Sequence, residues 1–137
     1  MEGDFHGCIE YALKILDSIG ESVPTSNVSM PRAMFSFARV QIMLRNKTDE
    51  DWLSLPKCND AIRTAAMILW GEICTAALLG HKGEMLILAT SRHLLMASEY
   101  GWTESFPCAF ACWGVLQATM GNFHLAYRYA RLSVKFS

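Results

Sequence analysis

The stretch from residue 60 to residue 79 constrains the fold most. Ile62, Ala65, Ala66, Leu69, Ile73 and Ala76 recur at helical spacing, and Met67, Trp70, Cys74 and Leu78 cover much of the remaining circumference. A helix that is apolar nearly all round must be buried on more than one side, so other helices have to stack around it. Its expected cap is Asn59 or Asp60.

The rest of the chain supplies such helices. In residues 5–19, Ile9, Leu13 and Leu16 share a face, Glu10 and Lys14 form an i,i+4 pair, and Gly20 stands as the C-terminal stop. After a Ser/Pro/Asn-rich loop over 21–30, a second helix from Pro31 puts Ala33, Phe37, Val40 and Leu44 on one face. Arg32, Ser36 and Arg39 lie on another. The connection over about 45–58 reads as irregular, apart from a short acidic turn that Thr48 is placed to cap and Leu55-Pro56 stops.

Gly80 and Gly83 bracket a tight turn into a helix over 84–100, which keeps a narrow polar stripe of Glu84, Ser91, Arg92 and Glu99 and ends at Gly101. Thr103 or Ser105 opens a helix to Met120, and Gly121-Asn122 turns the chain into a last one. No alternating strand pattern persists. The expected fold is therefore all-α, a single region over 1–137 with about six helices in antiparallel hairpins.

Composition narrows the classes. At 137 residues there is room for one core, and 52% hydrophobic with 18% charged residues excludes disorder. A formal net charge of -1 creates no global field for nucleic acid or an anionic membrane, and neither is expected as a partner. The N-terminus lacks the basic and apolar regions of a signal peptide, and the five cysteines sit in apolar segments, which points to a reduced, cytoplasmic setting. The uncharged stretch 105–127 has the length of a membrane span, but Pro107 and Gly121-Asn122 break it into a buried helix and a turn.

The two ends match. Gly3-Asp4-Phe5-His6 with Tyr11-Ala12 recurs as Gly121-Asn122-Phe123-His124 with Tyr129-Ala130, the mark of a helical repeat array. Glycine permits the turn, the aromatic residue packs back, and small residues let two helices approach. Phe110, Trp113-Gly114, Gln117, Gly121, Phe123, Ala126, Ala130 and Ser133 resemble the hairpin of the tetratricopeptide repeat. Trp113-Gly114 stands at its leucine-glycine pair and Ala126 at the small residue of its second helix, whereas Gln117, Ala130 and Ser133 depart from it. In the first copy Phe5 and Ala12 hold their places, and Cys8 replaces the small alanine.

A wider resemblance runs from Gly3-Asp4-Phe5 and Ile9-Glu10-Tyr11-Ala12-Leu13 through Val23-Pro24, Leu55-Pro56, Ala65-Ala66-Met67, Tyr100-Gly101 and Ala109-Phe110-Ala111 to Ala126-Tyr127-Arg128-Tyr129. That order is similar to the helical-repeat region of very large signalling ATPases. Those proteins join a protein-kinase-like domain, a STAND-type (AAA-like) ATPase, this array and often a GAF domain with a sensor histidine kinase.

The resemblance implies a right-handed solenoid serving as a non-catalytic scaffold without cofactor. Its partners are neighbouring repeats and the ATPase and kinase domains of the same protein. The alternative is a free-standing adaptor that binds a peptide or partner helix in a concave face. The first repeat lacks its first helix and the last helix lacks a cap, so the expectation is a fragment of a longer array, with surplus apolar surface at both ends and along 60–79.

Motifs for chemistry are few. No phosphate-binding glycine loop or kinase signature occurs, and Gly80-His81-Lys82-Gly83 reads as a helix-helix turn without a preceding strand. Cys108 and Cys112, one turn apart, suit either a shared metal or packing as small hydrophobes, and Phe106, Phe110 and Trp113 around them favour packing. Asp49, Glu50 and Asp51 suit a helix N-terminus rather than acid-base work. The many methionines read as gap fillers, with an adaptable groove as the other reading. His124, Arg128, Arg131 and Lys135 form a basic stripe on the last helix, either a solvated face or a contact for an acidic or phosphorylated partner.

Overall fold

Local capping chemistry sets several helix starts. In the computed structural model, which describes residues 5–21 and 29–135, the Ser29 hydroxyl accepts from the Arg32 N–H and Pro31 occupies the first turn of α2 (Met30–Arg45). Thr48 and Asp51 cap each other's backbone N–H groups at 3.2 and 2.9 Å, closing a capping box that opens α3 (Asp49–Leu53). The Asp60 carboxylate accepts from Ile62 and Arg63 at 2.9 and 3.2 Å and starts α4 (Ala61–Leu79). With α1 (Phe5–Ser18), α5 (Gly83–Tyr100), α6 (Phe106–Thr119) and α7 (Phe123–Lys135), the described residues form seven helices and no sheet. The short α3 is the acidic turn that Thr48 is placed to cap, within the otherwise irregular connection.

The helices form one all-α bundle. α4 pairs with α5 and α6 with α7, each across a tight turn, and α6 rests on both α4 and α5. α1 and α2 do not form a comparable hairpin with each other: α1 lies along α4 and α2 along α5. The faces read on α1 and α2 fall in place, since Ile9, Leu13 and Leu16 of α1 and Ala33, Phe37, Val40 and Leu44 of α2 are all buried.

The polar stripe expected on α5 is corrected. α5 lies between α2, α4 and α6, and every residue from Met85 to Ser91 is buried. Ser91 satisfies its hydroxyl by donating to the Ile87 carbonyl at 2.7 Å inside its own helix, Arg92 is half-buried, and only Glu99 is exposed. α4 is rotated from the expected stripe: Met67, Trp70, Ile73 and Cys74 point inward, while Ile62, Ile68 and Leu79 are exposed. That uncovered side is the surplus apolar surface expected along 60–79, and α4 alone among the described helices is long and apolar enough to cross a membrane by length and composition.

Aromatic rings lock the bundle. Trp52 of α3 meets Phe110 edge-on at 5.2 Å, Phe110 packs on Phe106 at 4.7 Å and stacks on Tyr129 at 5.7 Å, and Phe37 stacks on Trp113 at 4.7 Å. These contacts fasten the short α3, and with it α2 and α7, to α6. The segments before α4 and after α5 are sewn together too: Cys58 N–H donates to the Trp102 carbonyl at 2.9 Å and Trp102 N–H to the Pro56 carbonyl at 3.1 Å. Gly101 sits at φ +106° between them, where a Cβ would lie 2.5 Å from the Pro56 oxygen.

Candidate functional site

The basic stripe of α7 faces a concavity of about 330 Å³ lined by His124, Tyr127, Arg128, Arg131, Leu132 and Lys135, with Asp49 across from them. All four stripe residues are thus brought to one place, but Arg128 is committed. Its Nε donates to the Asp49 carboxylate at 2.7 Å, and its NH2 group donates to the Lys47 carbonyl at 3.2 Å. Arg128 therefore holds the 46–49 connection onto α7. Arg131 lies over the Tyr127 ring at 5.7 Å, and His124 and Lys135 are exposed. Nearby, burial raises the Tyr129 phenol above its ordinary value, with Arg128 pulling it down and Asp49 pushing it up.

The repeat-packing residues divide. Phe110, Trp113 and Gly114 are buried, and a Cβ on Gly114 would lie 3.2 Å from the Ala126 carbonyl oxygen, so α6 and α7 meet closely at the glycine and alanine named from the sequence. Ser133, one of the departures from the repeat, donates its hydroxyl to the Pro107 carbonyl at 2.8 Å and adds a tie between the same helices. Gly121 takes φ +85° in the turn. Phe123, however, is 71% exposed and does not pack back, and Ala130 is exposed. In the first copy Phe5 is half-buried against Gly80, and Ala12 is buried, but Cys8 is exposed rather than packed. Gly3 lies outside the described residues, as do Val23 and Pro24 and the side chain of His6.

A polar cluster absent from the sequence reading lies inside the bundle. Ser105 Oγ is 3.3 Å from His93 Nε2, 2.8 Å from Thr103 Oγ1 and 3.4 Å from the Met67 carbonyl. His93 is fully buried, its Nδ1 has no hydrogen-bond partner among the described residues, and burial lowers its pKa to about 4, so the ring is neutral at pH 7. The Met67 carbonyl only accepts, so Ser105 donates to it and His93 donates through Nε2–H. Nδ1 is then left as a bare acceptor, the cheaper group to bury. The base of a nucleophile pair is typically oriented by a third group, and among the described residues none meets this imidazole at Nδ1. The arrangement instead joins α4, α5 and the entry to α6.

Cys74, Cys108 and Cys112 gather between α4, α5 and α6, with Thr90 at 3.5 Å from Cys74 and Thr75 at 3.8 Å from Cys108. The hydrogen bond to Cys112 and burial push the Cys108 thiol far above its ordinary range. For Cys112 the bond from Cys108 favours the thiolate, yet the bond to Cys74 and burial outweigh it and push the thiol up to about 12. These protonated thiols pack as small, weakly polar groups. Among the described residues no group of three or more His, Cys, Asp or Glu side chains is disposed to hold a metal ion.

Sequence reasoning also missed a cluster of arginines. Arg39 of α2, Arg63 of α4 and Arg92 of α5 line one concavity with Glu21, Glu99 and Tyr100. Each is an unremarkable helix-surface charge in its own segment, and only the bundle brings them together.

The class that fold and site define is an all-α helical bundle with polar and charged clusters at its helix interfaces. The chain matches no protein-family model, no curated protein and no solved structure.

Proposed function

We propose that the chain is a non-catalytic, tetratricopeptide-like helical-repeat scaffold that couples partner or ligand sensing to ATPase and kinase output domains carried elsewhere in the same cytoplasmic signalling protein. The observation that carries this reading is the α6–α7 hairpin, where Gly114 faces the backbone of Ala126 so closely that a Cβ would sit 3.2 Å from its carbonyl oxygen. Two features add support. A second hairpin, α4–α5, stacks against the first, and exposed apolar side chains on α2, α4 and α7, such as Phe35, Ile68 and Tyr127, suit further helices packed alongside. Sequencing the coding region on either side of these residues tests the reading: it requires one reading frame continuous with an ATPase domain upstream, and a frame confined to these 137 residues refutes it.

A groove favours the second reading, a free-standing adaptor for a peptide or partner helix. About 340 Å³ in volume, it runs between α4, α5 and α6 and is lined by Leu78, Leu86, Ile87, Val115, Leu116 and Met120 together with His81 and Lys82. Sedimentation of the purified chain separates the two. A soluble, cooperatively folded monomer supports the adaptor, and aggregation relieved by flanking helical segments supports the scaffold.

A further inference from the structure

The match between the two ends of the chain extends into their packing, and there the two copies differ. Carried along both helices in the register of Phe5 and Phe123, it sets Ile9 against Tyr127, Ala12 against Ala130, Leu13 against Arg131 and Leu16 against Val134. On α1 these positions form the face laid along α4: Ile9, Ala12, Leu13 and Leu16 are buried, and Phe5 is half-buried against Gly80 at the end of α4. On α7 every one of them is exposed, with Phe123, Tyr127 and Val134 at 71%, 67% and 73%. α7 buries Tyr129 and Leu132 instead, and pairs with α6. The face that α1 covers with a helix is therefore open on α7, as a ridge of Phe123, Tyr127, Ala130 and Val134 at helical spacing.

The charge beside the ridge restricts what can cover it. Asp49 and Arg128 cancel each other across the adjoining concavity, which leaves Arg131 and Lys135, both exposed and one turn apart, as two uncompensated cations. Arg131 lies over the Tyr127 ring at 5.7 Å, so cation and ridge form one surface. It stands where α1 has the buried Leu13, and Lys135 stands where α1 has Asp17. A wholly apolar helix laid on α7 would strip water from Arg131 without pairing it. Carboxylates along one edge of the covering helix remove that penalty. Aromatic and basic side chains side by side also suit an anionic membrane surface, but on α1 the matching face is covered by a helix.

We propose that the outward face of α7 is a docking surface for an amphipathic α-helix whose apolar side lies on Phe123, Tyr127, Ala130 and Val134 and whose acidic edge meets Arg131 and Lys135. The proposal rests on the match of α1 with α7 and on the charge of the stripe, so it holds for the scaffold and the adaptor alike.

The test is fluorescence anisotropy of labelled amphipathic peptides, alike in their leucine and alanine ridge and carrying glutamate or lysine along its edge, titrated with the 137-residue chain at low salt. The glutamate-edged peptide should bind at least about tenfold more tightly than the lysine-edged one, and the preference should shrink in high salt. Tyr127→Ala should weaken that binding about tenfold, as the loss of an aromatic anchor at an interface does. Arg131→Glu combined with Lys135→Glu should reverse the preference, and because all three positions are exposed, helicity should be unchanged. The proposal is overturned if neither peptide binds a chain of intact helicity, if the doubly reversed chain still prefers the glutamate edge, or if Tyr127→Ala leaves binding unchanged. Binding to phosphatidylserine vesicles in place of the glutamate-edged peptide overturns it as well, and assigns the face to a membrane.

Discussion

Replacing Gly101 by alanine should destabilise the chain far more than its small size suggests. Gly101 sits at φ +106° and ψ 174°, a region essentially reserved for glycine, and an L-residue held there costs about 1 to 3 kcal/mol. The added Cβ would also lie 2.5 Å from the Pro56 oxygen, 2.9 Å from the Cys58 nitrogen and 3.1 Å from the Lys57 carbonyl carbon. All three are backbone atoms and cannot swing away as a side chain would. Relief requires parting the segments, which sacrifices the two hydrogen bonds between Trp102 and residues 56 and 58, each worth about 1 kcal/mol net. The expected loss is about 3 to 5 kcal/mol, or about 10 to 20 °C in Tm for a chain of this size.

Gly20→Ala is the matched control. Gly20 takes φ +92° but has nothing within 4 Å of an added Cβ, so it carries only the conformational cost of about 1 to 2 kcal/mol. Urea denaturation followed by circular dichroism at 222 nm reads both variants. If Gly101→Ala loses no more than Gly20→Ala, the close approach to Pro56 contributes nothing and the reasoning is refuted.

Three further outcomes follow from named groups. His93 is neutral in the fold, with a pKa of about 4 against about 6.5 unfolded, so its contribution is full above pH 6.5 and is lost as pH falls toward 4 because the unfolded state takes up the proton first. The loss is about 3 kcal/mol. Urea midpoints should fall between pH 7 and 4.5, and that fall should shrink in His93→Phe. Trp113→Ala, at a fully buried position stacked on Phe37, should cost about 3 to 5 kcal/mol, while Phe123→Ala at an exposed one should stay within about 0.5 kcal/mol. A large effect at Phe123 would mean that the aromatic residue does pack back as in the repeat pattern. In thiol labelling at pH 8, Cys8 should react at once and Cys74 and Cys112 only on unfolding, since the first is exposed and the others are buried. Fast labelling of Cys112 would contradict its raised pKa.

Helix positions and several caps were legible because they rest on local chemistry. Asp60, Thr48 and Gly101 act on N–H groups and turns only a few residues away, and the apolar residues of α1 and α2 recur at helical spacing and so announce which face they bury. The repeat signal located the Gly114–Ala126 approach, yet it misplaced Phe123, Ala130 and Cys8. Those positions depend on what lies beside the hairpin, and a motif carries no record of that.

Orientation was decided by tertiary structure. α4 and α5 are apolar on so much of their circumference that no rotation is preferred locally, and packing against α1, α2 and α6 chose which residues face inward. That choice buried Ser91, of the expected polar stripe, and His93 beside it, because each found its partner in its own helix or across a helix interface. The two charged clusters show the same division. The stripe on α7 was visible because its members lie on one helix face, whereas Arg39, Arg63 and Arg92 come from three helices. Sequence by itself determined an all-α chain and where its helices begin and end. The charged corner of Arg39, Arg63 and Arg92 exists only once α2, α4 and α5 are brought side by side, since the Coulomb energy that defines it depends on distances the linear chain does not contain.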